Sequence, residues 1–475
     1  MKQDTIHSNN ELDCLLIAPP FMYDDGNIYK FVRQADPPIN LITLASWIRD
    51  KGFSVRIIDF NETGTQTENY TIKLKQAGSP RYIGISIYTA QAYSCYAFTK
   101  KCKQLFPNTV ILAGGPHATF AYQEVLENSD VDIVVRGEGE VSLQMILEGK
   151  ELSDIDGIAY KNDQGLLIVN SPRQVFPDIN ELPIPAYDLL RLEKYRPTLG
   201  SFKTLPSIIL TTSRGCPGNC IFCTKTLGKS HRQKNAQKIF EEIKYIVENF
   251  RIFDFAFHDD TFTANKSILK EFCHLVIESK VKISWLCYSR IDLVDNEILS
   301  IMHDAGCHQI MYGVESFDKN ILIALNKKIN ADIVSNVCEL THLHNITCKL
   351  TFIVGNPGDT KETLAYTLKN LLKIYADLIV VNIATPFPGT ALFETELKKG
   401  NIPVINWANH TGAKPILINQ NLSNEDIIKF YKSFYLRFYF RPVQFIRIFK
   451  RIRCYGGIKS VFLAGLSLVK LFMKR

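Results

Sequence analysis

No apolar run in this 475-residue chain approaches the ~18 residues that a membrane-spanning helix needs, which argues against an integral membrane protein. The opening segment, Met1 to Asn10, is polar and lacks the apolar stretch of a secretory leader, so the sequence predicts a cytoplasmic chain. Short-period repeats and low-complexity tracts are missing too. Cysteine is too sparse for a disulfide framework. Of the twelve, nine are scattered singly, at Cys14, Cys95, Cys102, Cys273, Cys287, Cys307, Cys338, Cys348 and Cys454, many in apolar stretches where a free thiol packs as a small hydrophobe. With 46% hydrophobic and 22% charged residues, wholesale disorder is excluded.

The length predicts roughly three units at ~150 residues each. Residues 1–150 alternate short β-branched runs (Cys14–Ala18, Ser54–Asp59, Tyr82–Ser86, Val110–Ala113, Asp132–Arg136) with helix-length segments such as Leu41–Lys51, Ala92–Phe106 and Tyr122–Asn128. That is the pattern of a Rossmann-like, doubly wound parallel sheet, which binds ligands beyond the carboxyl ends of its strands. Residues 151–205 are proline-rich and read as a linker with one small hairpin around Gly157–Val169. Residues 206–400 resume the alternation, with strands expected at Ile208–Thr212, Phe253–His258, Ile283–Tyr288, Gln309–Gly313, Lys349–Val354 and Leu378–Ile383. Six such units predict a partial (β/α)6 barrel of the TIM type, its site at the strand C-terminal ends. The fold class is therefore α/β, completed by a basic helical extension over 401–475.

Charge is uneven. From Lys429 to Arg475 there are twelve Lys or Arg and no Asp or Glu; the whole chain carries +7, so the rest is net −5. Twelve Phe or Tyr are interleaved with those bases. A helix from Val443 would put Phe445, Ile448, Phe449 and Ile452 on one face with bases around it, the composition of an interfacial helix drawn to anionic lipid. Packing on the barrel and RNA binding are the alternatives, nucleic acid being the weakest of the three. Val461–Val469 is apolar but too short to span.

The remaining three cysteines crowd into Arg214-Gly-Cys216-Pro-Gly-Asn-Cys220-Ile-Phe-Cys223, a Cys-x3-Cys-x2-Cys loop directly after the first barrel strand. In a reducing compartment such a cluster reads as metal or redox chemistry. Thiolates suit iron–sulfur clusters and zinc, and a closed site of either kind has four protein ligands, whereas three are close here. Three thiolates on a 4Fe–4S cluster leave one iron open to a further ligand. The alternative is zinc completed by His231 or a remote cysteine.

This loop, in this position, resembles that of the radical S-adenosylmethionine (SAM) enzymes. The resemblance implies a 4Fe–4S cluster held by Cys216, Cys220 and Cys223. It implies that SAM binds the open iron and is cleaved there to a 5′-deoxyadenosyl radical. Phe222 matches the aromatic that lies near the adenine. His258-Asp-Asp260-Thr-Phe262, after the second strand, resembles the segment contacting the SAM amino group, although it is acidic where Gly-Gly-Glu is commoner; Asp260 is the chosen acceptor. Arg290, after the third strand, is expected to face the SAM carboxylate. Gly313-Val-Glu315-Ser316, after the fourth, resembles the ribose- and carboxylate-contacting segment. Gly355-Asn-Pro357-Gly358 and Pro386-Phe-Pro388-Gly389 follow the fifth and sixth strands.

The first unit resembles cobalamin-binding domains. Ser86-Ile-Tyr88 and Gly114-Gly115-Pro-His117 match their Ser-x-Leu and Gly-Gly elements, and Gly137-Glu-Gly-Glu140 also recurs there. Ser86, Gly114 and Gly115 are thus the implied cobalamin contacts. The Asp-x-His-x-x-Gly motif that supplies an axial histidine to cobalt is absent, and the first loop reads Pro19-Pro-Phe-Met22, continuing to Pro37-Pro38. No lower histidine is expected, and His117 reads as a packing or tail-contact residue. Over Leu12 to Pro442 the resemblance implies a cobalamin-dependent C-methyltransferase acting on an unactivated carbon. Its small-molecule or lipid substrate is not named by any motif. A reducing partner such as flavodoxin or ferredoxin is implied, and peripheral contact with the inner membrane surface through the tail is the reading of the last helices. The alternatives are an oxidative cyclase or carbon–carbon bond-forming enzyme without methyl transfer, acting on a lipid or tetrapyrrole, and a cobalamin- or iron-responsive regulator.

Overall fold

Buried β-branched runs become strands, and several of the helices between them start where short polar side chains accept backbone N–H groups. In the computed structural model, residues 11–20, 35–62 and 70–473 are described. The polar start and Phe21–Met22 of the first loop lie outside them. The described chain forms two compact units, one of residues 11–20, 38–62 and 70–191, the other of residues 35–37 and 192–473.

The first unit is a seven-stranded sheet, β1 (Glu11–Ala18), β2 (Val55–Asp59), β3 (Ser79–Ser86), β4 (Val110–Gly114), β5 (Ile133–Val135), β6 (Ile158–Lys161) and β7 (Leu167–Val169), in the order β2-β1-β3-β4-β5-β6-β7. The first five strands are parallel and the order reverses between β1 and β3, which is the switch point of a doubly wound sheet. Leu12, Cys14, Leu15, Leu16 and Ile17 of β1 are all buried, as expected for a strand covered on both faces. The hairpin expected inside the linker is β6–β7. It pairs antiparallel onto β5, making the sheet mixed at that edge, and its unit continues to Arg191. The reason is local: Ile158 and Ala159 are fully buried, so this pair finishes the sheet instead of hanging from a tether.

The second unit holds six parallel strands, β8 (Ser207–Leu210), β11 (Asp254–Phe257), β12 (Ser284–Ser289), β13 (Cys307–Glu315), β14 (Thr347–Val354) and β15 (Leu378–Ile383), in the order β15-β14-β13-β12-β11-β8. A two-stranded antiparallel pair, β9 (Ser213–Arg214) and β10 (Arg232–Gln233), follows β8. The six form a half-barrel. Helices 236–250, 266–279, 296–304 and 361–371 are capped by Asn235, Asn265, Asp295 and Thr360, each accepting backbone N–H groups of the first turn. Those caps fix where each βα loop stops, and so where each strand-end side chain stands.

Helix 442–450 begins with Pro442 in its first turn, where the missing N–H costs nothing. Its faces differ from those the sequence reading expected. Phe445, Ile446 and Phe449 are exposed. Ile448 and Ile452 are only half-buried, while the bases turn inward. Arg441 donates to the Leu372 carbonyl at 2.8 Å, Arg447 lies 3.8 Å over the Tyr375 ring, and Arg451 pairs with buried Asp377 at 3.6 Å. A guanidinium reaches carbonyls and a carboxylate that an aliphatic side chain cannot satisfy, so these bases take the packed side.

Candidate functional site

The cysteine loop leaves β9 through Gly215, whose φ of +79° and position (an added Cβ would lie 2.3 Å from the Ser230 carbonyl oxygen) admit only glycine. Lys225 braces the loop by donating to the Gly218 carbonyl at 2.6 Å and to Asn219 at 2.8 Å. The Ile221 N–H donates to the Leu325 carbonyl, and Asn326 donates to the Asn219 carbonyl. All three thiols are partly exposed. The Gly218 N–H points at Cys216 Sγ, 3.4 Å away.

Ionisation of two of these thiols, Cys220 and Cys223, is opposed. Burial pushes the Cys223 thiol up to about 12, with Asp260 and the other two thiols adding to it, and burial also raises Cys220, against the pull of Lys327. A group of three ionised cysteines here therefore calls for positive charge among them, which bound iron supplies. Among the described residues no three His, Cys, Asp or Glu side chains converge on a single ion position. A 4Fe–4S cluster does not require that, since each thiolate takes a different iron.

Asp259 and Asp260 have divided roles. Asp259 is buried and accepts from the N–H and hydroxyl groups of Thr212 and Ser213, tying the end of β11 to the start of the cysteine loop. Burial raises its carboxyl to about 6 in spite of those donors. Asp260, the next residue, faces the other way, its carboxyl raised by desolvation and drawn down by nearby His231.

The three cysteines, Phe222, Asp260, Arg290 and Glu315 all line one cavity of about 200 Å³ at the strand C-terminal ends. Arg290 is bound to Asp292 through two nitrogens at 3.0 and 2.7 Å and to the Lys328 carbonyl at 3.0 Å. Glu315 ends β13 at a register shift with a left-handed φ of +69°, a strain of about 1–3 kcal/mol that surrounding contacts must hold. Its carboxylate pairs at 3.1 Å with Lys327, each side chain only 8% exposed. Gly313 makes this possible, because a Cβ there would sit 2.7 Å from the Glu315 carboxylate and 2.8 Å from Lys327 Nζ. The cavity is thus lined by carboxylates and cations together, groups of the kind that meet a zwitterionic amino acid.

Sequence reasoning missed Lys327, Tyr288 and Thr351, which share this cavity. Tyr288 stacks on His258 with ring centroids 4.9 Å apart, its hydroxyl 3.1 Å from Nε2. No local motif marks any of them; inward alternation along β12 and β14 was the available signal for Tyr288 and Thr351.

In the first unit, Ser86, Gly114 and Gly115 end β3 and β4, beside the switch point. Asn40 donates to the Ser86 hydroxyl at 2.9 Å. Gly115 has φ +91°, and a Cβ would lie 2.9 Å from the Ile87 carbonyl oxygen, so the backbone alone demands glycine there; Gly114 has ordinary room. His117 is fully buried, with Nε2 2.8 Å from the Tyr96 hydroxyl, a placement suited to packing.

Comparison with known proteins gives two domain matches, a B12 binding domain over residues 32–147 and the radical SAM superfamily over 210–371. The chain is 31% identical over 440 residues to an uncharacterized methyltransferase of Pyrococcus horikoshii, covering 91% of this chain and 94% of the relative. It is 25% identical over 415 residues to an anaerobic magnesium-protoporphyrin IX monomethyl ester cyclase of Rubrivivax gelatinosus, covering 85% and 74%. In fold it is similar to the radical SAM methyltransferase TsrM of Kitasatospora setae, solved with cobalamin and a [4Fe-4S] cluster, with a TM-score of 0.70, 14% identity and coverage of 98% and 99%.

Proposed function

This chain belongs to the radical SAM superfamily and carries a B12-binding domain, and we propose that it is a cobalamin-dependent methyltransferase acting at an unactivated carbon. When bound, the 4Fe–4S cluster supplies the electron that cleaves SAM to methionine and a 5′-deoxyadenosyl radical, and cobalamin supplies the methyl group that replaces the abstracted hydrogen. Cys216, Cys220 and Cys223 hold the cluster. Asp260 accepts from the SAM ammonium, Arg290 with Lys327 meets its carboxylate, and Phe222 packs near its adenine. Glu315 holds Lys327 in place. Ser86, Gly114 and Gly115 contact cobalamin, and the wall formed by Tyr288, Met311 and Thr351 excludes water from the radical. The single observation that carries the reading is the gathering of the cysteine loop and both signs of charge around one cavity in a chain that also matches a B12 binding domain.

The test is anaerobic purification from cobalamin-supplied cells, then turnover with SAM labelled in its methyl group. About four irons per chain with near-equimolar cobalt, and label in the product, are the expected results. Unlabelled product would move the assignment to the cyclase reading, which the magnesium-protoporphyrin relative favours. Zinc in place of iron after reconstitution would sink both.

Peripheral membrane contact through the tail is a further part of this proposal. Among the described residues no helix is long and apolar enough to cross a membrane. Helices 442–450 and 457–473 nevertheless expose Phe445, Phe449, Ile458 and Phe462, four large apolar side chains in a segment without one acidic residue. Replacing Phe445 and Phe449 together by serine is expected to weaken sedimentation with anionic liposomes by about tenfold or more, from ~0.8 kcal/mol per buried CH₂-sized unit. Because neither side chain is packed inside, folding is expected to be unchanged; unaltered liposome binding would defeat the proposal. Truncation before Arg441 is a poorer test, since Arg441, Gln444 and Arg451 are packed inward.

A further inference from the structure

On the flank of the half-barrel, helices 319–324, 333–343 and 361–371 and the turns beside them border an open groove of about 1090 Å³. Its charged side chains are mostly basic. Lys319, Lys328 and Lys373 are exposed. Of the acids, Asp318 is committed to capping, accepting from the Asn320 and Ile321 N–H groups, which leaves exposed Asp332 as the counter-charge. Two large apolar side chains stand out in the same surface, Ile323 at 66% and Tyr366 at 53% exposure. An apolar centre inside a charged rim is the anatomy of a transient protein interface, and single-sign charge selects a partner of opposite sign and speeds its arrival.

Asn326 and Lys327, which line this groove, belong to the turn that braces the cysteine loop. Leu325 accepts from Ile221 N–H, and Asn326 donates to the Asn219 carbonyl at 2.8 Å, so one turn of chain holds both residues that flank Cys220. Lys327 lines groove and cavity alike. The Lys328 carbonyl, from a residue whose side chain is exposed in the groove, accepts from Arg290 of the cavity wall. A protein seated here is therefore separated from Cys220 by a single layer of residues.

We infer that this groove is the docking site of the acidic one-electron carrier protein that reduces the cluster. The inference rests on the cluster assignment above. In the step it serves, one electron leaves the reduced carrier and enters the oxidised 4Fe–4S cluster; the carrier is oxidised by one equivalent, and no bond or proton changes hands. Lys319, Lys328 and Lys373 steer and hold the carrier, Ile323 and Tyr366 pack against it, and residues 325–328 form the short path between.

The experiment compares the reconstituted holoenzyme with its Lys319→Glu/Lys373→Glu variant, using a bacterial flavodoxin as the probe. Two readouts are taken: flavodoxin affinity and its salt dependence by titration, and 5′-deoxyadenosine formed with either reduced flavodoxin or dithionite. Charge reversal is expected to weaken flavodoxin binding at low salt on the order of tenfold or more. The flavodoxin-driven reaction falls in step, while the dithionite-driven reaction is unchanged. Wild-type flavodoxin affinity in the variant would overturn the inference, as would equal loss of both reactions. Failure of the wild-type protein to cleave SAM with dithionite would count against the cluster assignment instead, and the binding comparison would still decide the groove.

Discussion

Replacing any one of Cys216, Cys220 or Cys223 by alanine is expected to abolish SAM cleavage, a fall beyond about 10³-fold, and to leave iron near background after reconstitution. Removing one of three thiolates leaves a cluster with two protein ligands, in a loop whose other contacts are all internal braces. No other thiol stands near the loop to replace the missing one, because among the described residues the eight buried cysteines lie in strands and helices of the two units, and half-buried Cys454 lies in the tail. The control is Cys454→Ser, which should keep full iron and full 5′-deoxyadenosine production. Iron content and product are measured on the same anaerobic samples. A Cys220→Ala protein that retains about four irons and cleaves SAM would remove the loop from the chemistry.

Glu315→Gln carries the second large effect. Glu315 and Lys327 are each 8% exposed and 3.1 Å apart, and taking the charge from one partner leaves the other buried and uncompensated, at about 3–5 kcal/mol. A loss of that size is a large share of the stability of a domain. The second unit should therefore unfold at markedly lower urea, and SAM affinity should fall with it. Adding Lys327→Met to Glu315→Gln removes the stranded charge and is expected to restore most of the urea midpoint without restoring SAM affinity. That split separates a binding role from a merely structural one. If the double variant recovers both, the pair serves the fold alone; if Glu315→Gln does not move the midpoint, the pair contributes little to either.

The two effects draw on different parts of the molecule's information. The cysteine spacing is local. Three thiols within eight residues, with Gly215 and Gly218 between and before them, can be gathered by one loop in many surroundings, so the pattern is readable without the fold. The strands are equally legible, since a run such as Leu378–Ile383 is set by β-branching, with every second residue buried. Helix starts followed from Asn235, Asn265, Asp295 and Thr360, whose short side chains satisfy first-turn N–H groups wherever they occur. Asp259 and Asp260 were both open from the chain, with Asp260 the one chosen; in the structure Asp259 is bound to Thr212 and Ser213 and Asp260 lines the cavity.

Only the tertiary structure decided the rest, and each case turns on distance in space rather than in sequence. Lys327 meets Glu315 because β13 shifts register and Gly313 leaves room for an ammonium, neither of which a linear pattern records. The hairpin at 158–169 joins the first sheet because β5 presents an open edge, whereas its proline-rich flanks suggested a tether. In the tail, composition alone counted twelve bases and could not say which face they occupy. Packing against Leu372, Ala376 and Asp377 draws Arg441, Arg447 and Arg451 inward and leaves Phe445 and Phe449 in solvent. Local sequence determined the elements and the metal-binding loop through backbone preference and side-chain period. Register, burial and charge pairing between elements were set by the folded chain, because a buried charge takes whichever partner the packing brings within reach.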